Sequence, residues 1–513
     1  MPRVLVTEGS SGIVELAGPG VLETYYPDND LDRALDLLLR LYDLKAANGT
    51  RLLDNYQREG FNWLSGQVGN LYWRWLFRLV QYGPLLRRFL SGELTPVFRN
   101  SVNLAKIWEV LRPRSRRSLS NWWRYQRVLP AHNQKVLRGR AGTMLFYRYG
   151  PNDFRTREMV PVFEAHGTDF TYVYSASTKV LKQRHELGHP AYFLHRRRVV
   201  PPVFGHQYPA AGLGPDLAPF LPAVLARCEE HMAFQVHEFR QHLEVLGKDK
   251  PALFFGLDDH QEVHPILFAC QALGIPSIGY QLGMYARRQA AYTLEGWAPG
   301  TYQWYDNVIV WGQYWEDVVR RWGKVYPEGY FLPGTNKHGY GYRRLESPNF
   351  SPKNVLVPYE FWGNTRRIGQ YMMRRMDLGY TVYFKYKPDE RPERQIACYE
   401  LAPQYAATVR HVATITDELM AEVNIVAGGM TTLLYDLLPY GKETWVFETE
   451  FRLLDDMVRD GFAKLVRFAD LDTLPEPQRA NREIDREYLS RSEPLASVLE
   501  RHVLGRLQAQ PGE

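Results

Sequence analysis

What most limits the fold of this chain is a recurrence. Short β-branched and aromatic runs, each stopping at glycine or a polar residue, alternate with helix-length segments in two successive stretches. The first stretch carries "TMLFYRYG" (Thr143–Gly150), "FTYVYSA" (Phe170–Ala176), "ALFFGLD" (Ala252–Asp258), "PSIGYQLG" (Pro276–Gly283) and "NVIVWG" (Asn307–Gly312). The second carries "NVLVPYEF", "YTVYFKYKP", "HVATIT", "VNIVAGG" and "ETWVFETE". Runs that are apolar on both faces and spaced by helices are the mark of buried parallel strands in βαβ units. The fold class is therefore α/β: two doubly wound Rossmann-type domains facing a cleft, with an N-terminal helical region. At 513 residues the chain exceeds one ordinary core. The Pro/Gly/Asn-rich piece "YFLPGTNKHGY" (Tyr330–Tyr340) reads as the linker. The expected units are 1–140, mainly helical with a basic aromatic segment; 141–335, the N-terminal Rossmann-like domain; and 336–513, the C-terminal one.

Charge is unevenly placed. From Arg112 to Arg140 the chain has nine Lys or Arg and no Asp or Glu, although the formal net charge of the whole is only +6. Upstream, "LYWRWLFRLVQYGPLLRRFL" (Leu71–Leu90) reads as a basic amphipathic helix. Residues 71–140 are either a helical layer with a solvated basic face or a docking surface for anionic lipid. No nucleic-acid motif accompanies them. The three cysteines, Cys228, Cys270 and Cys398, are far apart and point to a reducing compartment. With no run of the roughly 18 apolar residues needed to span a bilayer, the expectation is a cytoplasmic protein, peripheral on the inner membrane face if the basic segment binds lipid.

In open parallel sheets, ligands sit beyond the carboxyl ends of the strands, so the loops leaving those ends are the candidates. In "VAGGMTTLLYDLL", Gly428 and Gly429 end a strand and Thr431 and Thr432 open a helix, which suits a phosphate. No Lys follows the glycines as in a P-loop. "YFKYKPDERP" places Lys385, Lys387 and Arg391 at a neighbouring strand end, where they would neutralise a diphosphate. "LFFGLDDHQEVHP" supplies Asp258, Asp259, His260, Glu262 and His264 at a strand end of the other domain. Asp258 is the first choice for a general base, with Asp259 beside it and Glu262 and His260 in reserve. The competing readings are a helix cap or a metal held by His260 and His264 with Glu262. Gln281, Gly283, Glu295 and Glu360 complete the cleft set. Near the N-terminus, "TEGSSG" (Thr7–Gly12) and "VELAGPG" (Val14–Gly20) imitate nucleotide loops but lack the helix and second strand that would make them so.

The order "GIPSIGYQLG", "NVIVWGQYWEDVVRRWG", "YFLPGTNK", "YFKYKPDERP", "VAGGMTTLLYDLLPYGKETWVFETE" resembles the GT-B fold glycosyltransferases of bacterial capsule and lipopolysaccharide synthesis. It also resembles the related group that polymerises glycerol phosphate from CDP-glycerol. The resemblance spans about residues 250 to 470. Members often carry Gln-His-Gly where this chain has Gln281-Leu282-Gly283, and Lys-Pro-His-Pro where it has Lys387-Pro388-Asp389-Glu390. It implies transfer of a sugar from a nucleotide-sugar donor, bound by the C-terminal domain, to a glycan or lipid-linked acceptor, without a cofactor or metal. Glycerol-phosphate transfer from CDP-glycerol and a non-catalytic glycan-binding scaffold of the same fold are the alternatives.

Overall fold

The computed structural model describes residues 5–7, 13–15, 30–91, 95–97, 129–150, 153, 155–175, 188–194, 200–206, 208–209, 218–258, 261–301, 304–336, 353–360, 365–387, 391–449, 452–471, 473 and 485–508. Two sheets dominate. The first has seven strands: β1 (Met144–Tyr147), β2 (Phe170–Ser175), β3 (Ala191–Leu194), β4 (Leu253–Leu257), β5 (Ser277–Tyr280), β6 (Asn307–Val310) and β7 (Phe331–Pro333). They are parallel throughout and lie in the order β7-β6-β5-β4-β1-β2-β3. The second has six: β8 (Asn354–Pro358), β9 (Thr381–Lys385), β10 (Arg410–Val412), β11 (Ile425–Gly428), β12 (Glu443–Phe447) and β13 (Lys464–Val466). These too are all parallel, in the order β10-β9-β8-β11-β12-β13.

Both orders reverse direction after the third strand of the domain, so each sheet has a topological switch point: between β1 and β4, and between β8 and β11. This is the GT-B-like, doubly wound architecture that the alternation of runs and helices points to. The ten expected runs are all strands. Three more, β3, β7 and β13, come from runs that do not stand out in the sequence. One of them, β7, lies within the piece read as a linker, so the first sheet runs further than expected.

Side-chain alternation explains how the second sheet is buried on both sides. Val355, Val357, Val382, Phe384, Ile425, Ala427, Trp445 and Phe447 pack on one face with Ile368, Tyr371 and Met372 of the helix Thr365–Asp377. Leu356, Tyr383, Val426 and Val446 point the other way, into a core that continues through the first domain.

The N-terminal unit is not a separate layer. Its helix Asp30–Tyr42 buries Ala34, Leu35, Leu38 and Leu41 in the same core. Phe61 stacks on Phe268 at 4.3 Å, and Trp63 meets Phe239 and Phe268 edge-on. The basic amphipathic helix forms as expected, as Asn70–Leu76 and Phe77–Leu90. Its apolar residues Leu71, Tyr72, Trp75, Leu76, Phe77 and Leu79 are inside the protein, so that stripe is occupied by the core. The rest of the basic run, 101–128, lies outside the described residues. Helix Leu129–Leu137 packs on the sheet edge, where Asn133 exchanges hydrogen bonds with the backbone of Phe193. The first domain thus begins before residue 141. At the other end, residues 485–508 cross back to it: the Arg491 N–H donates to the Trp311 carbonyl at 3.0 Å, and Arg506 reaches Asn307. Leu5–Thr7 and Ile13–Glu15 pair antiparallel, a hairpin pairing and not a βαβ nucleotide fold. Among the described residues no helix is long and apolar enough to cross a membrane.

Trp63 is fully buried and its indole N–H donates to the Arg58 carbonyl at 2.9 Å. Trp63→Ala should lower unfolding free energy by about 3–5 kcal/mol, the usual cost of emptying such a site. Chemical denaturation reads this, and a loss below about 1 kcal/mol would show the N-terminal unit to be loosely attached.

Candidate functional site

The carboxyl ends of the two sheets meet. Gly283, in the loop leaving β5, lies against Thr432 of the glycine-threonine turn: a Cβ at Gly283 would sit 3.2 Å from Thr432 Oγ1. The next N–H, that of Met284, points at the same hydroxyl at 3.4 Å. The loop after β5, one strand away from the first switch point, thus touches the turn at the second.

On the C-terminal side, the turn after β11 already holds an anion. Glu360 follows β8 across the switch point and is 3% exposed. The Gly429 N–H contacts its carboxylate oxygens at 2.7 and 2.8 Å, and the Met430 and Thr431 N–H groups donate to Oε1 at 2.9 and 3.1 Å. The glycines leave room for this side chain together with Leu434 and Thr449. A Cβ on Gly428 would lie 2.8 Å from Glu360 Oε1, and one on Gly429 would lie 3.1 Å from Oε2 and 2.3 Å from Thr449 Cγ2. The Tyr399 hydroxyl accepts from the Glu360 N–H at 2.9 Å and fixes the strand end. Burial pushes the Glu360 carboxyl up to about 7, against the opposing pull of the Met430, Gly429 and Thr431 N–H groups.

The expected donor cations divide. Lys385 turns back to the Tyr386 carbonyl at 2.6 Å, half-buried, and burial lowers its pKa. Lys387 is exposed beside the ring of Tyr359, its backbone locked to Gln395 by two hydrogen bonds. Arg391 is exposed at the start of helix Pro392–Ala397. Thr431 and Thr432 are partly exposed, and Thr431 Oγ1 accepts from the Leu433 N–H at 3.3 Å.

On the N-terminal side, the structure gives Asp258 an anchoring position. It is buried; Oδ1 accepts from the Leu282 N–H at 2.9 Å, and Oδ2 accepts from the Tyr285 hydroxyl. Burial first, and the Asp258 charge second, hold Tyr285 well above the ordinary phenol range, so this hydroxyl stays a donor. Gln281, fully buried, links the loops after β5 and β6 through Trp311 N at 2.9 Å and the Gly283 carbonyl at 2.8 Å. Glu295 is bound by both arms of Arg287, at 2.9 and 3.0 Å. Glu262 is different: exposed at the switch point, it accepts a hydrogen bond from Ser175 at the end of β2. Asp259 and His260 lie outside the described residues. His264 is buried against Trp304 and Phe268, away from exposed Glu262, and no three metal-ligating side chains converge among the described residues.

Sequence reasoning pointed to loops at strand ends but could not tell which of their carboxylates are buried. It placed Glu360 in the cleft set. Its role as ligand of the turn had no local signal, because its partners are 69 to 71 residues away.

No family model matches the chain, and no curated protein is significantly similar to it. Solved structures of similar architecture include MurG from Acinetobacter baumannii, 13% identical, covering 72% of this chain and 99% of that one with a TM-score of 0.41. The calicheamicin glycosyltransferase CalG4 is 14% identical, covering 72% and 95% with a TM-score of 0.41. UDP-GlcNAc 2-epimerase from Neisseria meningitidis is 12% identical, covering 71% and 100% with a TM-score of 0.40. Likenesses this distant assign neither a family nor an activity, and the architecture stated above rests on the two sheets themselves.

The raised Glu360 pKa fixes a sign. The unfolded chain ionises this group near its ordinary 4.5 and the folded chain only near about 7. Its contribution is fully present below the first value, is lost as pH rises between the two, and is constant above. Urea midpoints measured from pH 4 to 8 should show this decline in the parent and not in Glu360→Gln. Parallel profiles would mean that Glu360 titrates normally.

Proposed function

We propose that the chain is a glycosyltransferase. It takes a sugar from a nucleotide-activated donor, held chiefly by the C-terminal domain, and passes it to a glycan or lipid-linked acceptor in bacterial surface polysaccharide assembly. The observation that supports this most is the contact between the loop after β5, at Gly283, and Thr432 at the second sheet's switch point. It gives one cleft with separate walls for donor and acceptor.

The exposed groups distribute the roles. Glu262, steadied by the Ser175 hydroxyl, takes the proton of the acceptor hydroxyl. The acceptor oxygen bonds to the anomeric carbon as the bond to the donor phosphate breaks, and the nucleotide departs with that electron pair. Lys387 and Arg391, with the hydroxyls of Thr431 and Thr432, receive the phosphate charge. The backbone N–H groups of the turn are already engaged by Glu360, so phosphate would lie over the hydroxyl edge of the turn and not inside it. Asp258 shapes the acceptor wall by holding the 281–285 loop.

A second reading is favoured by that same carboxylate. A turn whose N–H groups are filled by the protein itself suits a glycan-binding module that keeps the fold without using a donor.

The experiment is nucleotide release from UDP-, GDP- and CDP-linked donors in the presence of membrane glycolipid, with thermal shift against the free nucleotides. The transferase reading expects release of one nucleotide. Glu262→Gln should lower turnover about a hundredfold with donor affinity little changed, and Lys387→Ala should weaken nucleotide binding about tenfold. A folded protein that neither binds nor releases any nucleotide would leave the binding module.

A further inference from the structure

Beyond the Gly283–Thr432 contact and the buried seam where Tyr314 and Trp315 pack on Tyr435, the domains are joined by a cluster of charges that the proposed chemistry does not use. Arg288, in the loop leaving β5, has a side chain only 11% exposed. Its guanidinium donates to Asp32 on helix Asp30–Tyr42 at 2.9, 3.0 and 3.1 Å, to Asp455 at 2.5 Å and to the Arg452 carbonyl at 2.9 Å. One side chain thus joins the N-terminal helix, the first domain and the second. Beside it, the Arg287 N–H points at Asp456 at 3.3 Å, and its guanidinium lies 4.4 Å from the centre of the Trp322 ring. Arg459 of the second domain lies over the same ring at 5.3 Å, and Arg321 reaches Asp460 at 3.2 Å. Across the domains, then, Asp455 pairs with Arg288 and Asp460 with Arg321, while Asp456, paired with Arg459 of its own domain, meets the Arg287 backbone.

We infer that this pairing is a reversible electrostatic latch that fixes the angle at which the two domains, joined through the Tyr435 seam, meet at the cleft, with the N-terminal helix as its third member. Its position supports this: the 281–288 loop leaves the carboxyl end of β5, and Asp455 follows the carboxyl end of β12, so the latch closes the side on which ligands would enter. Its chemistry supports reversibility. Helix Asp30–Tyr42 packs on the first domain, with Leu39 against Gly296 and Tyr42 against Trp297. When the second domain swings away, Asp32 therefore stays on Arg288. The cation is not left bare in a buried place, the outcome that makes breaking other buried pairs so costly. Asp32 also holds the guanidinium fork aimed at Asp455 for reclosure. Asp455 is 44% exposed, so dissolved ions reach the pair and weaken it. The latch is independent of what the cleft binds.

The test uses the whole chain with two spin labels and pulsed dipolar spectroscopy. Cys398 is exposed in the second domain while Cys228 and Cys270 are buried, so Cys398 takes one label. Lys248→Cys, exposed on the first domain, takes the other. The latch predicts one narrow distance distribution at low ionic strength, broadening to longer distances at about 1 M salt, where screening extends only about 3 Å. Asp455→Asn should show the broad distribution already at low salt, Arg288→Gln should show it more strongly, and Asp32→Asn should fall between. Asp455 is the decisive site, since its exposure lets it be replaced without disturbing the core. A narrow distribution unchanged in folded Asp455→Asn and at high salt, or a parent already broad at low salt, would overturn the latch.

Discussion

The C-terminal domain turns on a carboxylate held by backbone N–H groups. Burying Glu360 unpaired, or leaving the convergent N–H groups of Gly429, Met430 and Thr431 unpaired, would each cost several kcal/mol, and placing one on the other removes both costs. The interaction ties β8 to β11 at the switch point of the sheet, and with Leu434 and Thr449 it leaves no room for a side chain at 428 or 429. The turn thus has its shape before any ligand arrives, and Thr431 and Thr432 are presented along its open edge.

The N-terminal domain has a counterpart. Asp258, at the carboxyl end of β4, binds the Leu282 N–H and the Tyr285 hydroxyl and so holds the loop that brings Gly283 to Thr432. At each switch point a buried carboxylate shapes the wall, while exposed groups stand outside it: Glu262 on one side, Lys387 and Arg391 on the other. In the proposed function, structure and chemistry fall to different residues within the same loops. Arg287 and Arg288 extend the 281–285 loop into the contact with Asp455 and Asp456, so the contact with Thr432 and the one with these carboxylates belong to one segment.

Much of this was legible in the sequence. Buried parallel strands need apolar side chains on both faces, and the runs that became β1, β2, β4, β5, β6 and β8 to β12 show it. The runs behind β3, β7 and β13 do not stand out: "YFLPG" reads as a turn, and β13 begins at Lys464 with Leu465 exposed. "LYWRWLFRLV" has the same amphipathic pattern whether its apolar side meets lipid or protein, and in the folded chain Trp75 and Phe77 meet protein. The strand-end rule located Asp258, Glu262, Glu360 and the glycine turn. It could not say which carboxylates face water, since burial depends on segments distant in sequence: Tyr285 for Asp258, and the turn 69 residues on for Glu360.

The central claim, that the protein's own carboxylate holds the glycine turn, is tested most directly by amide hydrogen exchange in the ligand-free protein. The N–H groups of Gly429, Met430 and Thr431 should be protected in the parent. In Glu360→Ala they should exchange about a hundredfold faster or more, while the amides of β11 keep their protection. Equal protection of those three amides in the two proteins would contradict the account.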